Sequence, residues 1–272
     1  MSNLRLIIDN VHDSATLTAT TEGLPVTYTQ RSGRSYPWRS VGTGTQVIQA
    51  TLANVQYLDA IVLDRHNLSA AATVQLEILY GADVVQDTGN QSVAELIPPP
   101  LLRLGVDPWG ASYNDKIPVQ SKQFWIEPAF ATGYRITIND PTNPNGHIDV
   151  GRVIAGLSFS PKFNASYGVK LTQVEQVEHR RTEGGSLRSV GSDAISRRLT
   201  LDLKFLTEED RTTLTTELVK RGRRASVFVS FYPKQGGLKE VEHAFLAKRE
   251  NDYEHTHDFY NNWQAPLSFL EV

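Results

Sequence analysis

Hydrophobic and polar residues alternate over short stretches in the first half of the chain, with turn residues between the stretches. The clearest case is Thr73–Tyr80, where Val74, Leu76 and Ile78 alternate with polar partners. A period of two residues predicts a strand with one buried face and one face toward water. Further strands are predicted at Leu4–Ile8, Val47–Thr51, Tyr57–Leu63, Gln123–Ala129 and Tyr134–Ile138. Short strands separated by turns are typical of a β-sandwich or jelly roll.

The pattern changes after about Ser160, where strands are combined with one helix. Apolar and charged residues alternate along Ser196–Phe205, which predicts a half-buried strand. Thr207 with Asp210 three residues later predicts a capped helix start, and Gly222 ends the helix. Its apolar face is narrow, so we expect it to lie on a sheet. Other strands are predicted at Val169–His179, Ser226–Tyr232, Val241–Arg249 and Pro266–Val272. The sequence therefore predicts two domains, a β-sandwich over 1–160 and an α+β domain over 161–272.

A glycine-, serine- and arginine-rich stretch, Arg180–Ile195, joins two of the predicted strands of the second half. This composition predicts a hairpin with a long flexible arm. Positive charge also concentrates in this part of the chain, at Arg180, Arg181, Arg188, Arg197, Arg198, Lys220, Arg221, Arg223 and Arg224.

The composition narrows the class of protein. With 272 residues, 40% of them apolar and 21% charged, the chain can bury a sizeable core and is expected to fold throughout. A net charge of −3 makes nucleic acid and anionic lipid poor default partners. The absence of cysteine excludes disulfides and cysteine-based zinc sites. The apolar run Leu6–Ile8 near the N-terminus is too short for a signal segment, so we expect synthesis in a cytoplasm.

No motif for catalysis is present. The sequence has no nucleophile elbow and no P-loop, and Gly42-Thr43-Gly44 lacks the third glycine of a dinucleotide fingerprint. Paired carboxylates of a glycosidase remain open, because their separation is spatial. We expect a protein without enzymatic activity and without a cofactor.

Two segments could be taken for metal sites. Asp140–Asp149 resembles a calcium loop, but aligning its glycine places Pro141 at the first ligand position and Arg152 where a glutamate is needed. Asx-Pro turns that close a hairpin explain the same residues. In Glu254–Asp258 two histidines share one side of a predicted strand, and a zinc or nickel site there needs ligands from elsewhere. We predict no metal.

Two loops carry aromatic residues that could contact a ligand. Trp38 and Arg39 lie in the first, and Trp109 and Tyr113 lie in the long proline-rich region Ile97–Gln120. Tryptophan beside arginine can stack on sugar rings or bases. The alternative is structural: the rings fix the long loop onto the sheet, and the arginine folds over the tryptophan.

Three segments, in order, resemble a known family. They are Trp38-Arg39-Ser40, then Tyr57–Ser69 with the strand that follows it, and then Tyr134–Asp140 with Asn143–Val153 as a closing hairpin. Together they are similar to the discoidin-like, galactose-binding-like jelly-roll domains of bacteriophage tail proteins, over roughly Met1–Ser160. The second half is similar, in architecture only, to the tail-tube-like fold of distal tail and baseplate hub proteins.

The resemblance implies a structural virion protein that forms a homo-oligomeric ring at the tail tip. It would hold the tail tube protein on one side and baseplate hub or receptor-binding proteins on the other. The number of subunits, trimer or hexamer, stays open. The ring interface is expected at Arg180, Arg181, Arg188, Arg197 and Arg198. A host-surface glycan, if bound, would stack on Trp38 and Trp109, with hydrogen bonds from Arg39 or Tyr113. The alternative function is that of a stand-alone carbohydrate-binding module or lectin.

Overall fold

The computed structural model describes residues 3–94 and 121–272, so Trp109, Tyr113 and the predicted loop Ile97–Gln120 lie outside the described residues. In chain order the strands are β1 (Arg5–Ile7), β2 (Thr16–Ala19), β3 (Trp38–Arg39), β4 (Gln46–His66), β5 (Thr73–Tyr80), β6 (Asp83–Asp87), β7 (Gln91–Ser92), β8 (Ser121–Asn139), β9 (Asp149–Gly156), β10 (Ser158–Phe159), β11 (Lys170–Arg181), β12 (Leu187–Leu206), β13 (Ser226–Ser230), β14 (Ala244–Arg249), β15 (Thr256–Phe259) and β16 (Asn262–Glu271). The helices are 3-10 turns at Val11–Ser14 and Val26–Gln30, α1 (Glu208–Thr213), which continues as a π-helix over Leu214–Val219, and α2 (Gly237–Glu242). The predicted mostly-β fold class is confirmed. No helix in this described part is long and apolar enough to span a membrane.

The chain divides into two compact units. The first comprises Met1–Ser160 together with Phe228–Phe245, and the second comprises Pro161–Val227 together with Leu246–Val272. One division therefore follows Ser160, where the sequence pattern changes. Two consecutive domains do not describe the chain, however, because β13 returns to pair with β1 in the first unit.

The longest strands of the first unit, β4 and β8, pair antiparallel along most of their length. The sequence predicts two shorter strands in each, because small and polar residues such as Ala53 and Asn54 interrupt the alternation in β4. The register instead shifts between Thr51 and Gln56, a β-bulge that bends the pair without ending it. At Gly133 a Cβ atom would lie 2.5 Å from a carbonyl oxygen of β4, so the close approach requires glycine.

Because β4 and β8 bend, each strand contributes to two layers. Their halves at 46–51 and 133–138 form one layer with β2, β5, β6 and β7, and their halves at 56–64 and 121–131 form another with β9 and β3. Buried side chains of both layers, such as Ile48, Ile61 and Phe124, share one hydrophobic core. The predicted β-sandwich is thus confirmed, with strands that pass from one layer to the other.

The predicted closing hairpin, Tyr134–Asp140 with Asn143–Val153, is wrong in its pairing. β9 pairs with β4 and β3 and not with β8. The chain crosses over through Asp140, whose carboxylate accepts hydrogen bonds from the backbone N–H of Ser69 at 2.8 Å and from the amide of Asn143 at 2.9 Å. These contacts, with Asp140 buried, give the turn a structural role in place of calcium binding.

The second sandwich layer is covered on its outer face as well. Ala60, Val62 and Ile154 are buried there, outside the core that the two layers share. A row of strands in the order β10–β1–β13 belongs to the same unit. At Gly156 of β9 a Cβ atom would lie 3.0 Å from Ile7, so β1 runs directly against this layer.

The second unit contains a sheet in the order β14–β16–β12–β11, with β15 beside β16. Leucines of β12, such as Leu201 and Leu203, are buried as their alternation predicts. Thr207 accepts a hydrogen bond from the backbone N–H of Asp210 and caps α1, and the π-helix that continues α1 buries Leu214. The predicted long hairpin and flanking helix are confirmed.

The hairpin of β11 and β12 extends past the rest of its sheet. β16 pairs with β12 only over Arg198–Leu206, whereas β11 pairs with β12 to its end. We call the exposed stretch Gln176–Ser192 the arm. The sequence predicts a flexible connection here, but the strands stay paired because a tight turn closes them, with the N–H of Thr182 donating to the carbonyl of Ser186 at 2.9 Å.

Candidate functional site

The predicted glycan contacts Trp38 and Arg39 have structural partners. Trp38 is fully buried in the core, and its indole N–H donates to the carbonyl of Thr21 at 3.2 Å. A ring without an exposed face cannot stack on a sugar, so the stacking role predicted for Trp38 is corrected to a packing role. The Arg39 guanidinium makes two 2.8 Å hydrogen bonds to Asp149, and these raise its pKa.

The histidines at Glu254–Asp258 pack on an aromatic side chain. His257 stacks on Trp263 with 4.3 Å between ring centroids, and His255 meets the edge of the same ring at 5.2 Å. Among the residues the structure describes, no group of three or more histidine, aspartate or glutamate side chains could hold a metal ion. The histidine pair therefore has a packing role in the described structure.

The five arginines predicted at an interface fall into two groups. Arg197 binds Glu271 through two hydrogen bonds of 2.7 and 2.9 Å, and Arg198 donates to Glu250 at 2.8 Å. Both are occupied within the second unit. The remaining three, Arg180, Arg181 and Arg188, lie on the exposed arm.

A buried polar network in the first unit centres on His12. Nε2 lies 2.8 Å from the hydroxyl of Thr29, and Nδ1 lies 2.5 Å from the hydroxyl of Tyr134. The Thr29 hydroxyl donates its proton to the carbonyl of Val26, so it can only accept from His12. The His12 Nε2 therefore carries the proton and donates to Thr29, and Nδ1 accepts from Tyr134. Burial, with Arg152 nearby, lowers the pKa of His12 to about 3, and burial raises that of Tyr134. This network holds the fold with a neutral imidazole.

A row of polar side chains lies on the outer face of the second sandwich layer. Ser121, Gln123 and Trp125 alternate along β8, and the cross-strand partners of the last two are Val62 and Ala60. The Ser121 Oγ, Gln123 Oε1 and Trp125 Nε1 atoms are shielded from solvent and have no hydrogen-bond partner within the described residues. An unmet buried donor or acceptor costs about 1–3 kcal/mol, so this row favours a polar partner beyond the described residues.

Gln123 and Trp125 line a cleft of about 420 Å³ in the first unit. This volume falls within the range of small-molecule sites, about 300–1,000 Å³. The other polar side chains of the cleft are Thr88, Gln91, Lys234 and Glu240.

Two of these polar groups shape the cleft. The buried carboxylate of Glu240 accepts hydrogen bonds from the backbone N–H groups of Lys234, at 3.2 Å, and of Gly236, at 2.6 Å. The hydroxyl of Thr88 accepts from the backbone of Leu76 at 3.0 Å. Within residues 3–94 and 121–272, Gln123 and Trp125 have no such partner for the atoms named above, so they are the groups that a ligand would satisfy.

The alternation of these residues is visible in the sequence, but it does not show whether their face of the strand meets water or is covered. Gln123 and Trp125 occupy alternate positions of the predicted strand Gln123–Ala129, Ser121 precedes it by two residues, and one face of such a strand usually meets water. That face is instead shielded in the structure, which turns an ordinary polar face into a candidate site. Only the fold reveals that the face is covered.

No family model matches the sequence, and no curated protein matches it either. Among solved structures, the chain is similar to the module CpGH89CBM32-5 from Clostridium perfringens, in complex with GalNAc-β-1,3-galactose, at 11% identity over 55% of this chain and 100% of that one, with a TM-score of 0.38. It is also similar to chitosan-binding module 1 of a chitosanase/glucanase from Paenibacillus sp. IK-5, at 14% identity over 54% of this chain and 98% of that one, with a TM-score of 0.36. The lectin domain of lectinolysin, complexed with Lewis B antigen, matches at 9% identity over 58% of this chain and 98% of that one, with a TM-score of 0.38. At these identities and scores the likeness concerns the fold alone.

Proposed function

We propose that this protein is a carbohydrate-binding protein whose first unit holds a saccharide in the cleft beside Gln123 and Trp125. The observation that carries the proposal is the row of polar atoms without protein partners on β8. Gln123 offers an acceptor through Oε1, and Trp125 offers a donor through Nε1. The two residues lie on the same face of the strand, and their Cα atoms are about 7 Å apart along it. A sugar hydroxyl can both donate and accept, and a saccharide carries several hydroxyls at such spacings.

The two charged side chains named above for the cleft, Lys234 and Glu240, have opposite signs, which is consistent with a neutral ligand. The carboxylate of Glu240 is engaged with backbone N–H groups. The guanidinium of Arg5 lies 5.0 Å from the centroid of the Trp125 ring and 3.8 Å from the carboxylate of Asp59. The indole therefore sits beside a cation that already has a counter-charge, and the free hydrogen-bonding groups of β8 are neutral.

Trp125→Phe and Gln123→Ala should each weaken saccharide binding about tenfold, because each removes one ligand hydrogen bond worth about 1–1.5 kcal/mol. A glycan array with the full chain identifies the saccharide, and calorimetry on the best glycan measures the affinities. Each variant should still unfold in one cooperative urea transition, since the polar atoms removed make no hydrogen bond within the described structure.

The matched control is Gln49→Ala, a glutamine exposed elsewhere on the same strand pair. It should bind as the unchanged protein does. An array without a reproducible hit would refute the proposal. Unchanged affinity in both cleft variants would place the saccharide elsewhere on the chain.

A second candidate function is assembly into a ring, as in the tail proteins that the sequence resembles, and the arm is the observation that favours it. A two-stranded hairpin without neighbours is marginal in water. Leu187 and Val190 of the arm are 59% and 60% exposed, and Arg180 lies directly opposite Arg188, a like-charge pair that destabilises an isolated hairpin. Arg180 also pairs with Glu178 at 2.7 Å. A neighbouring copy that buries Leu187 and Val190 and places a carboxylate beside Arg188 would remove both costs.

Replacing Leu187 and Val190 by serine should shift the assembly to monomers in native mass spectrometry at micromolar concentration. The control replaces Val84 and Val85, two exposed valines of the first unit, by serine, and should leave the assembly intact. A protein that is monomeric before any substitution would contradict assembly through the arm.

A further inference from the structure

Arg65 adopts an unusual backbone conformation at the end of β4. Its φ angle is +57°, a left-handed value that an arginine adopts only when the surroundings hold it there. Its side chain lies across Gly151 of β9, where a Cβ atom would be 3.0 Å from the Arg65 Cβ and 3.4 Å from its Nε. Strand pairing places the neighbouring Arg152 opposite Asp64. The charge of Arg152 acts on Arg65, so the two guanidinium groups lie near each other at this end of β4 and β9.

Most nitrogens of these two guanidinium groups lack a hydrogen-bond partner. Nη1 and Nη2 of Arg65 are shielded from solvent without an acceptor among the described residues, and so are Nε and Nη1 of Arg152. The Arg152 side chain is only 5% exposed, and its Nη2 donates to Asp13 at 2.7 Å. A guanidinium presents five N–H donors, and donors kept from water need acceptors.

The carboxylates nearby do not supply enough acceptors. Asp64 approaches the Arg65 Nε at 3.2 Å and forms an ion pair with it, so it serves one nitrogen of that guanidinium. Burial lowers the pKa of Arg65, the charge of Asp64 opposes that shift, and the like charges of Arg34 and Arg152 add to it. The charges of Arg34 and Arg152 therefore reach Arg65, so this edge of the layer brings several arginines together.

We propose that Arg65 and Arg152 form a binding site for a small oxyanion, such as a phosphate or sulfate group. Such a group has several acceptor oxygens, which match the unmet N–H donors of two guanidinium forks. Its negative charge is also favoured beside two guanidinium groups. The exposed fraction of the Asp13 side chain, 45%, shows that this edge reaches the surface. The site stands on different residues from the saccharide cleft and does not depend on it.

The test is the melting temperature of the full chain in inorganic phosphate, compared with chloride at matched ionic strength. A specific site raises the melting temperature with the logarithm of the phosphate concentration, by about 4 °C at ten times the Kd. Arg65→Asn should abolish this increment, and asparagine tolerates a positive φ, so the variant can keep the backbone. Arg135→Gln is the control, because that guanidinium is hydrogen-bonded to Glu77 on another part of the sandwich.

A second melting series, with glucose 6-phosphate in place of inorganic phosphate, identifies the source of the anion. Equal responses to both probes identify a site for the free anion, and a response at much lower glucose 6-phosphate concentration identifies a site for an anionic group carried on a sugar. No increment over chloride overturns the proposal. An increment that persists in Arg65→Asn overturns it as well, since general salt stabilisation then explains the response.

Discussion

Lowering the pH from 7 to 4 should cost the folded protein about 3 kcal/mol at His12 alone. The unfolded chain protonates this histidine near its ordinary pKa of 6.5, whereas burial holds the pKa of the folded state at about 3. The unfolded state therefore binds more protons in this window, and the stabilisation present above pH 6.5 is lost as the pH falls toward 3. His66, whose pKa burial lowers to about 4 with a contribution from Lys122, acts in the same direction. Urea unfolding at a series of pH values measures the loss.

Substitution separates this effect from the protonation of carboxylates. In His12→Gln the amide can still accept from Tyr134 and donate to Thr29, but it cannot take up a proton. The loss of stability between pH 7 and pH 4 should therefore shrink by about 3 kcal/mol. His179→Gln, at an exposed position on the arm, should leave the pH profile unchanged. A profile that His12→Gln does not flatten would mean that His12 is protonated in the folded protein.

Trp38→Ala should lower the free energy of unfolding by about 4 kcal/mol. The side chain is fully buried in the core of the sandwich, and removing a buried tryptophan leaves a large cavity. The hydrogen bond from its indole to Thr21 is lost as well, which leaves a carbonyl without that donor. Chemical denaturation of the full chain measures the change.

Arg39→Ala provides the comparison for Trp38→Ala at the neighbouring position. The Arg39 side chain is 42% exposed, and its ion pair with Asp149 lies near the surface, where such pairs contribute at most about 1 kcal/mol. Its effect on stability should be several times smaller. If Trp38→Ala unfolds no more easily than Arg39→Ala, the packing role assigned to Trp38 is wrong.

The strands of the fold were predictable where one face of a strand is buried and the other meets water. Thr73–Tyr80 has the predicted bounds, and the helix begins after the predicted cap at Thr207. The sequence could not show that β4 and β8 continue through their bulges, because a bulge disrupts the alternation that marks a strand. It also could not show that β9 pairs with β4, since pairing between distant segments leaves no local pattern.

The candidate site was less predictable than the fold, for a related reason. Trp38 beside Arg39 has the composition of a ligand-binding loop, yet burial decides whether an indole packs or binds, and burial depends on the whole fold. Gln123 and Trp125 have an ordinary composition, and only the covering of their face makes them unusual. Arg65 was unpredictable for a different reason. Its positive φ is a property of the backbone, and an arginine in the sequence does not indicate such a conformation.

The return of Phe228–Phe245 to the first unit has a practical consequence for anyone who dissects this protein. A fragment that ends at Ser160 lacks β13, so Leu6, which pairs with Val229, loses a neighbour on one edge of β1. The same fragment lacks Lys234 and Glu240, two of the residues that line the cleft. A fragment cut at the apparent domain boundary would thus be missing both an edge of its fold and part of its cleft, and its failure to bind a saccharide would say nothing about the intact chain.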